Sequence, residues 1–334
     1  MAVTIRDVAR TAGVHVSTVS RTFSAPHLVN PETRVRVLAV AEELGYRPNR
    51  AARALTTGRT GNLGLIVADI ANPFFPPLIK SAQAHARERD YHVFVADTDE
   101  DPRVEEELIR TFAKQVDGLL LCSPRLSGRA IDRLNVEIPF VVVNRQVKGL
   151  STVLMDVAQG ARSAVEHLLR LGHRRIALLA GPSSSWNSSA IEEAAASAAL
   201  AGGAELAVLG PNPPTEQGGE LAAAEVLRSG ATGVLAYNDL IAIGLIEALD
   251  ELGVAVPGQL SVVGFDDIMP ARVISPKLTT VAMPTVAAGR AAVDALLRLV
   301  ESPATGTTRT TLDTSLVVRA STAAAPSPAV ARPR

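Results

Sequence analysis

The chain has 334 residues, 47% of them hydrophobic and 20% charged, with one cysteine and a net charge of −1. That is the length of about two ordinary domains and the composition of a globular chain, not a disordered one. Cys122 has no partner for an intrachain disulfide, and neither a secretory leader nor the ~18 consecutive apolar residues of a membrane helix can be found, so a reduced, cytoplasmic protein with no membrane role is expected.

Charge is unevenly spread. Residues 1–59 hold nine arginines against four acids, an excess of five positive charges, so the other 275 residues carry −6. A small basic segment joined to a large acidic one suggests a polyanion as partner of the first, with a basic solvated face as the alternative. Thr4-Ile5-Arg6-Asp7 has the form of a capping box, and Val8, Ala9 and Ala12 follow at helical spacing, which predicts a helix ended by Gly13. Residues 16–23 predict a second helix, with Val19 and Phe23 inward and Ser17, Thr18, Ser20 and Arg21 outward. Two short helices across a glycine turn make a helix-turn-helix. A third helix starts with Asn30 as cap and Pro31 as first residue, buries Val37, Val40, Ala41 and Leu44, and stops at Gly45. Residues 48–60 form a short Ala-rich stretch between Pro48 and Gly58. A helix shorter than ~12–15 residues is marginal alone, so this one forms only with a partner or stays a frayed linker.

The wording of these elements narrows the choice. Thr4-Ile5-x-Asp7-Val8-Ala9-x-x-Ala12-Gly13-Val14, Thr18-Val19-Ser20-Arg21, Thr33-Arg34 and Leu44-Gly45-Tyr46-x-Pro48-Asn49 closely resemble the DNA-binding headpiece of the lactose/galactose-repressor family. The resemblance implies that the second helix lies in the major groove, with Val16, Ser17 and Arg21 reading bases and Thr18 and Ser20 on phosphates. Thr4, Asn49 and Arg53 belong to the same implied DNA-contacting set. His15 departs from the serine common at that helix start, and either reaches DNA or is tolerated as a weaker cap. The Ala-rich stretch matches the family's hinge helix, which folds in the minor groove and wedges Leu55 between base steps.

From Asn62 onward, short apolar runs alternate with helical periods. The runs are 63–68, 92–96, 118–122, 140–143, 176–180, 204–209, 233–236 and 261–265. Such alternation predicts parallel sheets covered by helices on both faces, and two sheets rather than one. Ligands of open α/β sheets bind beyond the carboxyl ends of the strands, which directs attention to Asp69, Asn144-Arg145, Asn238-Asp239 and Asp266-Asp267. No phosphate loop, dinucleotide turn or nucleophile elbow is present. Asp97-x-Asp99-x-Asp101 puts Pro102 where a calcium loop needs glycine and Leu108 where it needs glutamate. His167 and His173 face different sides of a helix end, so no metal site and no cofactor are expected.

The resemblance continues through this part on Asp69-Ile70-x-Asn72-Pro73-Phe74-Phe75, Gln115-Val116-Asp117-Gly118, His167-Leu168-x-x-Leu171-Gly172-His173, Ala236-x-Asn238-Asp239 and Val263-Gly264-Phe265-Asp266-Asp267. It implies an α/β core like the periplasmic sugar-binding proteins of type I, with two subdomains that close on a small ligand. Asp69, Phe74, Asn144, Arg145, Asn238 and Asp266 are the implied cleft residues, and their carboxylates, amides and aromatic face suit a sugar. Trp186 either lines the cleft or packs in the core. In one respect the chain departs from the family: the Arg-x-x-Gly-Phe stretch whose arginine grips the effector is replaced by Ile191-Glu192-Glu193-Ala194-Ala195. The expected domains are a headpiece at 1–47, a hinge at 48–60, a core at 61–320 and a disordered Ala/Pro/Ser tail at 321–334. The expected function is a dimeric repressor of transcription that binds a palindromic double-stranded operator and answers to a small ligand, a sugar or a derivative. The rivals are a transport-type sugar-binding protein, opposed by the headpiece, and a two-domain α/β sugar enzyme, opposed by the missing motifs.

Overall fold

Local capping decides where the first helices begin. In the computed structural model, which describes residues 3–47, 58–134, 138–302 and 306–326, the backbone N–H of Thr4 donates to Asp7 Oδ2 at 3.0 Å and its hydroxyl donates to the same oxygen at 2.7 Å. This ties down the start of α1 (Ile5–Ala12), and Gly13 ends it at φ +66°, a left-handed conformation that favours glycine. His15 Nδ1 accepts the Ser17 N–H at 3.3 Å and caps α2 (Val16–Ser24). Asn30 Oδ1 accepts the Glu32 N–H at 2.9 Å and caps α3 (Pro31–Glu43). Val8, Ala9, Ala12, Val19, Val37 and Ala41 are buried together, with Phe23, Val40, Leu44 and Tyr46 packed around them. The expected inward position of Phe23 is only half-buried, because Thr22 takes the deeper place and satisfies its hydroxyl on the Thr18 carbonyl at 2.9 Å.

The chain divides into two compact units, Met1–Gly61 and Asn62–Arg334. The second contains two six-stranded sheets among the described residues. One is built from β1 (Asn62–Val67), β2 (His92–Asp97), β3 (Leu119–Cys122), β4 (Phe140–Val143), β5 (Ser151–Met155) and β11 (Arg309–Leu312), all parallel, in the order β11-β5-β4-β3-β1-β2. The other joins β6 (Arg175–Leu179), β7 (Glu205–Leu209), β8 (Gly233–Ala236), β9 (Ser261–Asp266), β10 (Thr279–Ala282) and β12 (Ser315–Val317) in the order β12-β10-β9-β8-β6-β7, with only the β10–β12 pair antiparallel. Helices cover the faces: α4 (Phe75–Arg87), α5 (Pro102–Phe112), α6 (Gly128–Leu134) and α11 (Thr285–Glu301) belong to the first sheet, and α7 (Val157–Arg170), α8 (Trp186–Ala201), α9 (Glu216–Ser229) and α10 (Asp239–Glu251) to the second. The chain passes between the sheets three times, after β5, after β10 and between β11 and β12. Two of these crossings are tied together, since the Thr314 hydroxyl donates to the Asp156 carbonyl at 2.9 Å and its N–H donates to Gln159 Oε1 at 3.2 Å. Among the described residues no helix is long and apolar enough to cross a membrane.

The eight expected apolar runs are all strands, and β5, β10, β11 and β12 are additional. Their sequences mix threonine and serine with aliphatic residues, so they lack a continuous apolar run. β11 and β12 are also sheet edges with one face partly open to solvent. The expectation of a disordered tail is overturned for residues 321–326. Ser321 is fully buried, its hydroxyl donates to the Val262 carbonyl at 2.6 Å and accepts the Thr279 N–H at 2.8 Å, and its carbonyl accepts the Val262 N–H at 2.9 Å. Ala323 and Ala325 extend this docking onto Ser261 Oγ at 3.0 Å and the Leu171 carbonyl at 2.8 Å. Composition marks low side-chain burial but is blind to backbone pairing of this kind. Residues 327–334 lie outside the described residues. His167 and His173 are structural: they bond to Thr322 Oγ1 and Thr232 Oγ1, both at 3.0 Å.

Helices α9 and α10 pack so closely that a Cβ on Gly244 would stand 1.9 Å from the Glu216 carbonyl oxygen, and one on Gly219 would stand 2.0 Å from that of Ile241. Backbone atoms cannot yield as a flexible side chain does. Gly244→Ala is therefore expected to lower stability by ~1–3 kcal/mol through overpacking, measured as a lower urea midpoint at unchanged slope; a midpoint equal to wild type would show that the helices can part without cost.

Candidate nucleic-acid interface and ligand cleft

On α2 the buried side is Val19 and Thr22, and Ser17, Ser20 and Arg21 are exposed on the other, three and four residues apart and so on one helical face. Val16 and Thr18 flank that face and are half-buried. The exposed set joins a guanidinium, which can fork onto guanine, to hydroxyls that can meet phosphate or base edges. Thr4 is exposed, but its hydroxyl is engaged on Asp7, whose carboxyl those bonds hold below the usual range. His15 resolves as a cap: besides the Ser17 N–H, its Nδ1 lies 2.8 Å from Ser17 Oγ. Asn49, Arg53 and Leu55 lie outside the described residues.

In both sheets the strand order reverses, at β1/β3 and at β6/β8. Doubly wound sheets bind ligands beyond the carboxyl ends at such reversals, and here the two sets of ends enclose a polar cleft. From the first sheet's side come Asn72, Phe74, Glu100, Ser123, Arg125 and Asn144; from the second come Asn187, Ile191, Tyr237, Asn238, Phe265 and Asp266. The cavity between them is about 30 Å³, the scale of a single water molecule. A ligand much larger than water therefore enters only as the two lobes part.

Four of the seven expected ligand residues meet in this cleft: Phe74, Asn144, Asn238 and Asp266. Phe74 sets its ring edge-on to Phe75, centroids 5.0 Å apart. Asn144, at φ +62°, donates from Nδ2 to Ser123 Oγ at 3.1 Å, and its buried Oδ1 has no partner. Asn187 Oδ1 is likewise buried and unpartnered. Asn238 is occupied at both ends: its Oδ1 accepts the Ile241 N–H at 2.9 Å, capping α10, and its Nδ2 donates to the Pro214 carbonyl at 2.9 Å. Burial pushes the Asp266 carboxyl well above the usual range, and Asp239 adds to the shift. Asp239 is fully buried, accepting the Thr280 hydroxyl at 2.5 Å and the Ile268 N–H at 2.9 Å. Burial, reinforced by Asp267, pushes its carboxyl up to about 7 against those two bonds.

The other three expected ligand residues are not cleft residues. Asp69 caps its own turn, accepting the Ala71 N–H at 2.8 Å. Arg145 points into the first lobe, where its Nη1 donates to the carbonyls of Pro124 at 2.8 Å and Leu126 at 2.5 Å. Trp186 lines a separate groove of about 430 Å³ with Arg162, Glu193 and Arg309. Strand-end adjacency put Asp69 and Arg145 near the cleft, but the bonds of their turns point them elsewhere. The main omission was Arg125, the guanidinium in the cleft. It lies three residues beyond β3, and the apolar run to Cys122 gave no sign of which loop residue turns back inward. Its Nη2 donates to Glu100 Oε1 at 2.8 Å, its Nε donates to Glu100 Oε2, and its Nη1 donates to the Ser123 carbonyl at 2.9 Å. Ile191 puts an apolar wall where the family pattern has arginine.

The sign of the Asp239 shift fixes a pH dependence. Unfolded, the carboxyl titrates near 3.9; folded, near 7. Between those values the native state holds a proton that the unfolded chain has released, so stability falls as pH rises across that window and levels off above it. The fall is about 1.4 kcal/mol per pH unit at most. Urea unfolding at pH 5 and pH 7.5 is expected to show a smaller loss for Asp239→Asn than for wild type; equal losses would place the proton elsewhere.

Two family models match the chain: "Bacterial regulatory proteins, lacI family" over residues 4–49 and "Periplasmic binding protein-like domain" over residues 165–322. The HTH-type transcriptional regulator GalS of Salmonella typhimurium is 37% identical over 304 residues, covering 89% of each chain. The lac repressor dimer bound to operator and the anti-inducer ONPF superposes with a TM-score of 0.87 at 28% identity, over 97% of this chain and 100% of that one. A complex of the transcriptional regulator CelR with cellobiose gives a TM-score of 0.72 at 30% identity, over 96% and 99%.

Proposed function

The chain belongs to the lacI family of bacterial regulatory proteins, and from that premise we propose that it is a cytoplasmic repressor that binds a palindromic operator as a dimer and is controlled by a small sugar or sugar derivative. It is a DNA-binding transcription regulator rather than an enzyme. The observation that carries the reading of the headpiece is the exposed face of α2, where Ser17, Ser20 and Arg21 stand over the buried Val19. A rigid helix of this size fits the major groove. Val16, Ser17 and Arg21 read bases, and Thr18 and Ser20 hold phosphates. By the family resemblance Leu55, within a hinge at 48–60, wedges into the minor groove, and Asn49 and Arg53 add further DNA contacts.

The core reading rests on a polar cleft at the paired reversals of two sheets. Its unpartnered acceptors sit on opposite walls, Asn144 on one and Asn187 on the other. A ligand that donates to both holds the two lobes in one arrangement. The lobes are joined only through the crossings at Asp156, Met283 to Pro284 and Asp313 to Thr314 among the described residues, so bringing them together is a movement about those segments. The coupling to DNA is then as large as the ligand's preference between the two arrangements, and no larger. Two relatives support this reading: the lac repressor, seen as a dimer bound to operator, and CelR, seen in complex with cellobiose.

Binding to operator variants by fluorescence anisotropy tests the headpiece. Arg21→Ala is expected to cost ~1–3 kcal/mol on the preferred operator and to relax selection at one base position per half-site. Affinity should also fall steeply with salt for wild type. If Arg21→Ala keeps the full base preference, Arg21 is no base reader.

A further inference from the structure

Any ligand of the cleft meets a charge pair that is already formed. Among the described lining residues the cation is Arg125, with its side chain 4% exposed, and Glu100 fills its fork with a carboxylate that is 26% exposed. Three of the five N–H donors of a guanidinium are used on Glu100 and the Ser123 carbonyl, which leaves two. Both partners are held from behind. Glu105, itself buried, accepts the backbone N–H of Arg125 at 2.7 Å and of Leu126 at 3.2 Å, and so fixes the loop that turns Arg125 inward. Glu100 follows Asp99 through two successive left-handed residues, at φ +49° and +61°, an uncommon backbone for side chains of this kind. Its N–H donates to the Ala68 carbonyl at 2.7 Å.

The rest of the wall asks for donors. Asn144 and Asn187 are 5% and 8% exposed, and the Oδ1 of each lacks a partner. Buried acceptors are seldom left unmade, and sugar hydroxyls would complete them. A carboxylate or phosphate brings only acceptors to that wall. It would also face Glu100 across a guanidinium whose charge is already balanced, so its desolvation would go uncompensated.

We propose that Glu100 is a built-in counter-ion that occupies the carboxylate fork of Arg125 and makes the cleft select uncharged polyhydroxylated ligands over sugar acids and sugar phosphates. The proposal rests on the reading of the cleft as the effector site. It also gives Arg125, from the wall opposite Ile191, the role of the cleft's cation: its two remaining N–H groups donate to ligand hydroxyls while its charge stays cancelled.

Isothermal titration of the full chain tests this with D-galactose, D-ribose and cellobiose beside D-galacturonate and galactose 6-phosphate. Wild type is expected to bind at least one of the uncharged sugars tenfold or more tightly than either anion. Glu100→Ala opens the fork, so galacturonate should gain at least tenfold, and the Glu100→Ala/Arg125→Gln double variant should lose that gain. Glu100→Gln, which keeps the volume and removes the charge, should move in the same direction. Wild type binding an anion as tightly as the best uncharged sugar overturns the proposal and leaves the effector reading standing. Unchanged galacturonate binding in folded Glu100→Ala and Glu100→Gln overturns it as well. Silence of wild type toward every sugar and both anions removes the sugar-effector reading, and the proposal with it.

Discussion

Parallel strands cannot be joined by tight turns; each pair needs a crossover over the face of the sheet. That constraint governs the core. Because every crossover ends at the amino end of a strand, the carboxyl ends carry the loops, and where the strand order reverses, neighbouring loops diverge and leave a crevice. Here two such crevices oppose one another, at β1/β3 and β6/β8. The polar residues of the cleft are those that these loops and helix starts deliver: Ser123 and Arg125 beyond β3, Asn144 beyond β4, Tyr237 and Asn238 beyond β8, and Asn187 at the start of α8.

What the sequence made legible follows from how local each cause is. The capping box at Thr4 and Asp7, the stop at Gly13 and the Asn30 cap are each settled within four residues, and all three are present. The strands buried on both faces announced themselves as continuous aliphatic runs, as in Leu119 to Cys122. β11 and β12 could not, because an edge strand needs no such run. Nor could the docking of residues 321–326, whose hold is Ser321 on Val262 across 59 positions of chain. The cleft was half legible for the same reason. Position beyond a strand end singled out Asn144, Asn238 and Asp266, but which way a loop side chain turns is set by bonds made at long range. Arg145 is drawn into the lobe by two carbonyls, and Arg125 is held in the cleft by Glu105 and Glu100.

Lining a cleft and being available to a ligand are separate properties. Asn238 and Asn144 both sit at strand ends on the wall, yet Asn238 has its amide committed at both ends to capping α10 and to the Pro214 carbonyl, so its mutation acts first on the fold. Asn144 and Asn187 keep an acceptor each in reserve. Counting bonds made against bonds possible therefore ranks cleft residues in a way that proximity cannot. Applied to Arg125, the same count gives a side chain mostly satisfied by the protein itself, with its charge cancelled and two donors to spare.

The same accounting explains how a cleft so small can still work as a switch. Its walls mix polar groups with the apolar side chains of Phe74, Ile191 and Phe265, so parting the lobes brings amides, hydroxyls and an ion pair, as well as apolar surface, to water. Reclosing on a ligand regains the donors that Asn144 and Asn187 lack in its absence, and that gain exists only in the closed arrangement. A ligand need not bind tightly to shift such an equilibrium; it need only make bonds in one arrangement that it cannot make in the other. The ties of Thr314 to Asp156 and Gln159 link two of the three crossings about which such a movement would turn, so those two segments are held to one another.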